Sequence, residues 1–208
     1  MRRDIRRWLT TTLVASIGAI TCASIVAQTP TPPPGGGQAR GGGRGPATPP
    51  LIMTSSAWED GGVIPDKYTQ AASATAPSPE LKWSQVPAGT QSFVLLMHDP
   101  EPVLNKGSKM DITHWLVWNV PGTSTGLSEG IAAGELPDGT RQVSLRSNAY
   151  MGPGAPPGPY HHYTFELYAL DTKLDLTADA TRDDVLKAID GHILGKAVLV
   201  GRFKRPAQ

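Results

Sequence analysis

Cysteine is nearly missing from this 208-residue chain: Cys22 is the only one, and it lies in an apolar N-terminal stretch. No disulfide can therefore tie the rest of the chain together, and a buried core must hold it. The chain also lacks a CxxC, an HExxH, an internal repeat and a Gly-rich phosphate loop after a strand, so the usual zinc and nucleotide signatures are missing. An excess of positive charge is missing from most of its length. Of 19 basic and 18 acidic residues, six and one fall within residues 1–50, leaving 13 basic against 17 acidic from residue 51 onward. A net acidic body argues against a nucleic-acid partner, which needs a basic face. It leaves room for a small, local anion site.

What is present at the N-terminus reads as an export segment over residues 1–28. Arg2, Arg3, Arg6 and Arg7 stand against one acid, Asp4, and no charge follows from Trp8 to Ala27. Ala23 and Ala27 offer signal-peptidase sites, so a cleaved signal is the expected reading. An uncleaved membrane anchor is the alternative, weakened by the polar run Thr10 to Thr12. A lipoprotein signal at Cys22 lacks the usual preceding pattern. Each reading exports the remainder, to a periplasmic or extracellular location, tethered to the membrane if the segment is retained. Residues 29–50 hold seven Pro and seven Gly with no large apolar side chain, the composition of a flexible linker. The domain proper is expected over residues 51–208.

Within it, short apolar runs alternate with Gly, Pro, Asn and Asp. Gln91 to His98, Thr113 to Val120, Tyr160 to Leu170 and Lys196 to Phe203 all have strand length and strand composition. Thr181 to Leu194 alone shows helical spacing, with Val185, Leu186, Ile189 and Ile193 on one stripe and Thr181 as N-cap. The fold class predicted is mainly β: an antiparallel Greek-key-type β-sandwich with a short C-terminal helical appendage.

Five histidines, His98, His114, His161, His162 and His192, lie in this domain. Strand alternation puts His161 and Tyr163 on the apolar face with Phe165 and Leu167, and His162 on the other. The same rule groups His114 with Leu116 and Trp118. Asp99, at the end of a strand and followed by Pro100, can orient a histidine and favour its charged form. Asp, His and Tyr in an apolar wall would make a small polar pocket for phosphate or carboxylate. His98 and His192 read better as satisfied structural residues. A metal-dependent hydrolase built on His98, Asp99, His114 and His161 is the competing reading. Adjacent His98 and Asp99 should, however, face opposite ways. A nucleophilic enzyme needs an activated serine or cysteine, and Ser144 and Ser147 read as ordinary strand or turn residues.

Several segments, taken in order, resemble the phosphatidylethanolamine-binding family in its bacterial Raf kinase inhibitor-like form. They are Trp58 to Pro65, Ser78 to Trp83, Asp99-Pro100-Glu101, His114-Trp115, Tyr150 to Pro153, Pro156 to Gly158, His161 to Tyr163 and Tyr168 to Asp171. The resemblance covers about residues 54 to 205. It implies a pocket built by Asp99, His114, Pro157, His161 and Tyr163, with Tyr150 and Gly152 at its rim, and with His114, His161 and Tyr163 donating. It implies a binding or regulatory module without cofactor, metal or catalytic residue. Its partners would be a small anion or phospholipid head group, a regulated protein and a second copy in a homodimer. Three departures bear on pocket shape: Glu101-Pro102-Val103, His162 where a basic residue is usual, and Gly154-Ala155 before the prolines.

Overall fold

The computed structural model describes residues 49–102, 106 and 111–207. The segment expected over 1–28 lies outside the described residues, as does the linker over 29–50 except for its last two residues. Among the described residues there are nine strands and one α-helix. In order they are β1 (Ile52–Thr54), β2 (Gly62–Val63), β3 (Leu81–Ser84), β4 (Ser92–Asp99), β5 (Ile112–Pro121), β6 (Gly126–Leu127), β7 (Arg141–Val143), β8 (His161–Leu170), α1 (Arg182–Ala188) and β9 (Ile193–Phe203).

The strands form a three-stranded sheet, β1-β3-β6, and a six-stranded sheet, β2-β9-β8-β4-β5-β7. β4 lies inside the large sheet, so both of its faces are covered and its sequence is apolar almost throughout. Two cores follow. Phe93, Leu95, Met97, Trp115 and Phe165 on one face of the large sheet pack with Met53, Leu81 and Trp83 from the small sheet. Val94, Leu96, Leu116, Trp118 and Tyr168 on the other face pack against Val185 and Ile189. Burying one such Leu or Phe side chain contributes roughly 1.5–3 kcal/mol.

The mainly β expectation holds, with two corrections. The large sheet is mixed: β2 pairs with β9 in parallel, because the short segment clips onto the free edge of β9 through Gly61 N–H to Val200 O and Ile64 N–H to Arg202 O. The one late helix is also shorter than its spacing suggested. Thr181 caps it reciprocally with Asp184 as the sequence suggested, but it ends at Ala188 and covers the outer face of the large sheet. Gly191, at φ +80°, then turns the chain, and Ile193 pairs with Leu170 at the start of β9, the last element. Sheet pairing thus claims a residue whose spacing had fitted a helix.

Two extra residues in β5 break its alternation against β4. Phe93 pairs with Val120 but Leu95 with Val117, and Met97 pairs with Trp115 but His98 with Thr113. Each irregularity is a β-bulge, which re-aims the side chains beside it. Asn119 sits in the first with φ +59°, and its side-chain amide donates to Leu174 O (2.9 Å) while its oxygen accepts from Leu174 N–H (2.8 Å). Asn119→Ala should therefore cost about 2–3 kcal/mol, combining left-handed strain with two lost hydrogen bonds. Asn119→Gly should recover the strain component alone. Urea unfolding of both variants measures the difference.

Candidate functional site

Asp99 continues the Phe93, Leu95, Met97 face of β4 into the space between the sheets, where it is 2% exposed. On β8, His161 and Tyr163 continue the face of Phe165 and Leu167. Because Met97 pairs with Phe165, the two strands deliver these groups to the same end of the core. His161 Nδ1 lies 2.8 Å from Asp99 Oδ2, and the other Asp99 oxygen accepts the Glu101 N–H at 3.1 Å. Burial raises the Asp99 carboxyl above its usual range, opposed by the hydrogen bond from His161.

His114 reaches the same place for a reason that alternation missed. It is the extra residue of the second bulge in β5, so it leaves the face of Leu116 and Trp118 and turns inward. Its ring meets that of Tyr163 edge-on, with centroids 5.0 Å apart, and its Nδ1 lies 2.8 Å from Met151 O. Burial drives its pKa down to about 4, with a smaller push from the positive charge of Arg146. The ring is thus neutral near pH 7 and spends its one N–H on Met151. This corrects the donor role expected for His114: its Nε2 carries a lone pair. The buried Tyr163 oxygen accepts the N–H groups of Gly154 (3.2 Å) and Ala155 (3.1 Å). Burial, followed by the nearby Asp99 charge, raises its pKa, so its proton stays in place to donate.

These four residues line a cavity of about 380 Å³, together with Gln70, Pro102, Leu145, Arg146 and Pro156. Three other expected residues lie elsewhere. Tyr150 is buried against Trp115 and its hydroxyl donates to Tyr68 O at 2.8 Å, so it supports the wall from behind. Gly152 marks a close chain crossing, where a Cβ would come within 2.6 Å of Tyr68 O. Pro157 lines a neighbouring hollow with Gln70, Arg205 and Pro206. Sequence reasoning missed Gln70 and Arg146, which belong to irregular segments with no periodicity to point them at a site.

The metal set of the competing reading is not assembled. His98 points to the opposite face of the sheet, where its Nδ1 lies 2.5 Å from an Asp111 carboxylate that also receives Arg182. Among the described residues, the group with ligand atoms close enough for a cation is Asp99, Glu101 and His161, within 4.8 Å of one another. Its members are already engaged: Asp99 with His161, and Glu101 with the His162 N–H (3.0 Å) and Nδ1 (2.6 Å). Burial works to raise the Glu101 carboxyl, but the bonds from His162 prevail and hold it below its usual range.

A larger open groove, about 610 Å³, runs along the small sheet past Lys82, Ser84 and Ser124. Ser124 is the centre of Gly122-Thr123-Ser124-Thr125-Gly126, a G-x-S-x-G match. A nucleophile elbow needs a strand-to-helix turn. Here the segment links β5 to β6, and no histidine lines the groove. The groove's charged members, Glu80 and Lys82, pair with each other at 3.1 Å. The smaller cavity, with its perturbed acid, histidine and tyrosine, is the candidate site.

The family profile for phosphatidylethanolamine-binding protein matches residues 54–204. A UPF0098 protein of Methanothermobacter thermautotrophicus is 43% identical over 158 residues, covering 74% of this chain and 99% of the relative. Among solved structures, a phosphatidylethanolamine-binding protein homolog from Chlamydia trachomatis superposes with a TM-score of 0.66 at 30% identity, covering 76% of this chain and 99% of that one. YbcL from E. coli, described as a member of the mammalian family, gives 0.63 at 25% identity, covering 75% and 99%.

The neutral His114 has a consequence for stability. Its folded pKa of about 4 lies below the 6.5 of a free histidine, so the unfolded chain binds the extra proton first as pH falls. Stability from this group is full above about pH 6.5 and is lost toward pH 4, by on the order of 3 kcal/mol. The raised Asp99 works in the opposite sense at the lower end of this window. Urea midpoints measured at pH 7.5 and 4.5 should differ less in His114→Asn than in the wild type.

Proposed function

Because the chain belongs to the phosphatidylethanolamine-binding protein family, we propose that it is an exported binding protein. Its ligand is a small anion: phosphate, carboxylate or a phospholipid head group. The observation that supports this best is the convergence of Asp99, His161, Tyr163 and His114 on one cavity at the end of the inter-sheet core. His161 has Nδ1 against Asp99, which orients the ring and leaves Nε2 as the nitrogen free to serve a ligand. Tyr163 adds a neutral O–H whose oxygen is fixed by two backbone amides.

A binding role fits this chemistry better than catalysis. Among the described residues no serine or cysteine lines the cavity, and the cation-capable carboxylates are paired to histidines. No observation favours the hydrolase reading. The N-terminal composition supports export, and only the family resemblance supports regulation of a partner protein or pairing as a homodimer.

Calorimetric titration of the full-length, metal-free protein with inorganic phosphate should show saturable binding near pH 7. His161→Ala should weaken it about tenfold or more, the loss expected for one charge-assisted hydrogen bond. No saturable binding of phosphate or acetate, together with a stoichiometric metal in the purified protein, would sink the proposal.

A further inference from the structure

We propose that Arg146 is the residue through which this cavity reads ligand charge, making it favour phosphate-type dianions over carboxylate monoanions. The inference rests on the anion-pocket reading above and gives that pocket its selectivity. It starts from the charges of the lining. Asp99 is a buried carboxylate 2.8 Å from His161, so an imidazolium there is neutralised by its own partner. His114 has its Nδ1 on a backbone carbonyl, and its remaining nitrogen offers a lone pair, which repels an oxyanion. Tyr163 is uncharged. These groups supply hydrogen bonds and shape but no net positive charge. Among the described lining residues Arg146 is the permanent cation.

Its placement is built. Arg146 Nη1 lies 3.3 Å from Gln70 Oε1, and Gln70 Nε2 donates to Gly152 O at 2.7 Å. Gly154 makes room for this bridge: a Cβ at that position would come within 2.6 Å of Gln70 Nε2. Gln70 is thus a positioning residue that holds the guanidinium at the mouth of the cavity, by the one side-chain hydrogen bond Arg146 makes among the described residues. A guanidinium presents five N–H groups in a planar fork that matches two oxygens of a phosphate or a carboxylate. What separates the two ligands is charge: a dianion gains about twice the Coulomb attraction of a monoanion from the same cation. That the Arg146 charge is felt inside the site is supported by its depressing effect on His114. Arg146 is itself solvent-exposed, so the attraction must weaken as salt rises.

The test titrates the full-length protein with inorganic phosphate and with acetate at pH 7.5, comparing wild type, Arg146→Gln, Arg146→Lys and His161→Ala at low and high salt. Arg146→Gln should weaken phosphate binding about tenfold and acetate binding about threefold or less. It should also flatten the salt dependence of phosphate binding. Arg146→Lys, which keeps the charge but loses the fork, should fall between. A readout free of ligand accompanies it: the His114 NMR titration should move upward in Arg146→Gln, since a nearby positive charge has gone. Phosphate affinity within twofold of wild type in Arg146→Gln, with His161→Ala still impaired, overturns the inference and leaves the pocket standing. A wild-type protein that binds neither anion removes the pocket reading and this inference with it. Because the side chain is exposed, both Arg146 variants should unfold at the wild-type urea midpoint, which makes a change in affinity attributable to the pocket.

Discussion

Asp99 is a carboxylate placed where an apolar core ends, and the surrounding structure is arranged to tolerate it. Such a group is stable in a dry interior only if paired and hydrogen-bonded. His161 and the Glu101 N–H supply those bonds, and the packed ring of Tyr163 closes the space behind. The pairing demands that β4 and β8 stay in one register. A slip of one residue would send His161 to solvent and bring His162 and Thr164 inward, since side chains alternate across a strand. Nine consecutive β8–β9 pairings, from His161 to Ala169, and seven β4–β8 pairings hold that register. The large sheet is therefore the frame that makes a buried acid permissible.

Around this pair the site is completed by departures from regular structure. The second bulge in β5 turns His114 inward, and the segment from Met151 to Ala155 crosses close enough to offer one carbonyl to His114 and two amides to Tyr163. Gly152 and Gly154 permit that crossing, one against the Tyr68 carbonyl and the other against the Gln70 side chain. Each polar atom so engaged is fixed in orientation. On the proposed reading, a small anion entering the cavity would find donors already aimed and lose little to ordering them.

The satisfied state of these groups is what favours the proposed binding role over catalysis. A general base must be free to take a proton, and a metal ligand must be free to coordinate. Here one carboxylate faces His161, the other faces His162, and the most buried imidazole is held neutral by its burial, with one nitrogen spent on a carbonyl. The family to which the chain belongs is described by what it binds, and the pocket's chemistry is consistent with that description.

Much of the architecture could be read from local chemistry alone. The four longest strands, the helix N-cap at Thr181 and the inward face of Asp99, His161, Tyr163 and Phe165 follow from periodicity and capping, which depend on near neighbours. The ordered family motifs brought His114 to the same pocket. Other features could not be read this way. His114 turns inward through a bulge, which exists only when β5 is laid against β4. Ile193 leaves the helix because a strand partner, Leu170, outcompetes a weak helical turn. Tyr150, Gly152 and Pro157 lie close to the site in sequence but are drawn by packing to positions behind or beside it. Gln70 and Arg146 meet across 76 positions of chain, in segments without any repeating pattern. Local propensity determined which segments become strands and which side chains share a face; long-range pairing decided which of those side chains share a cavity, because contact across sheets has no signature in the spacing of a single chain.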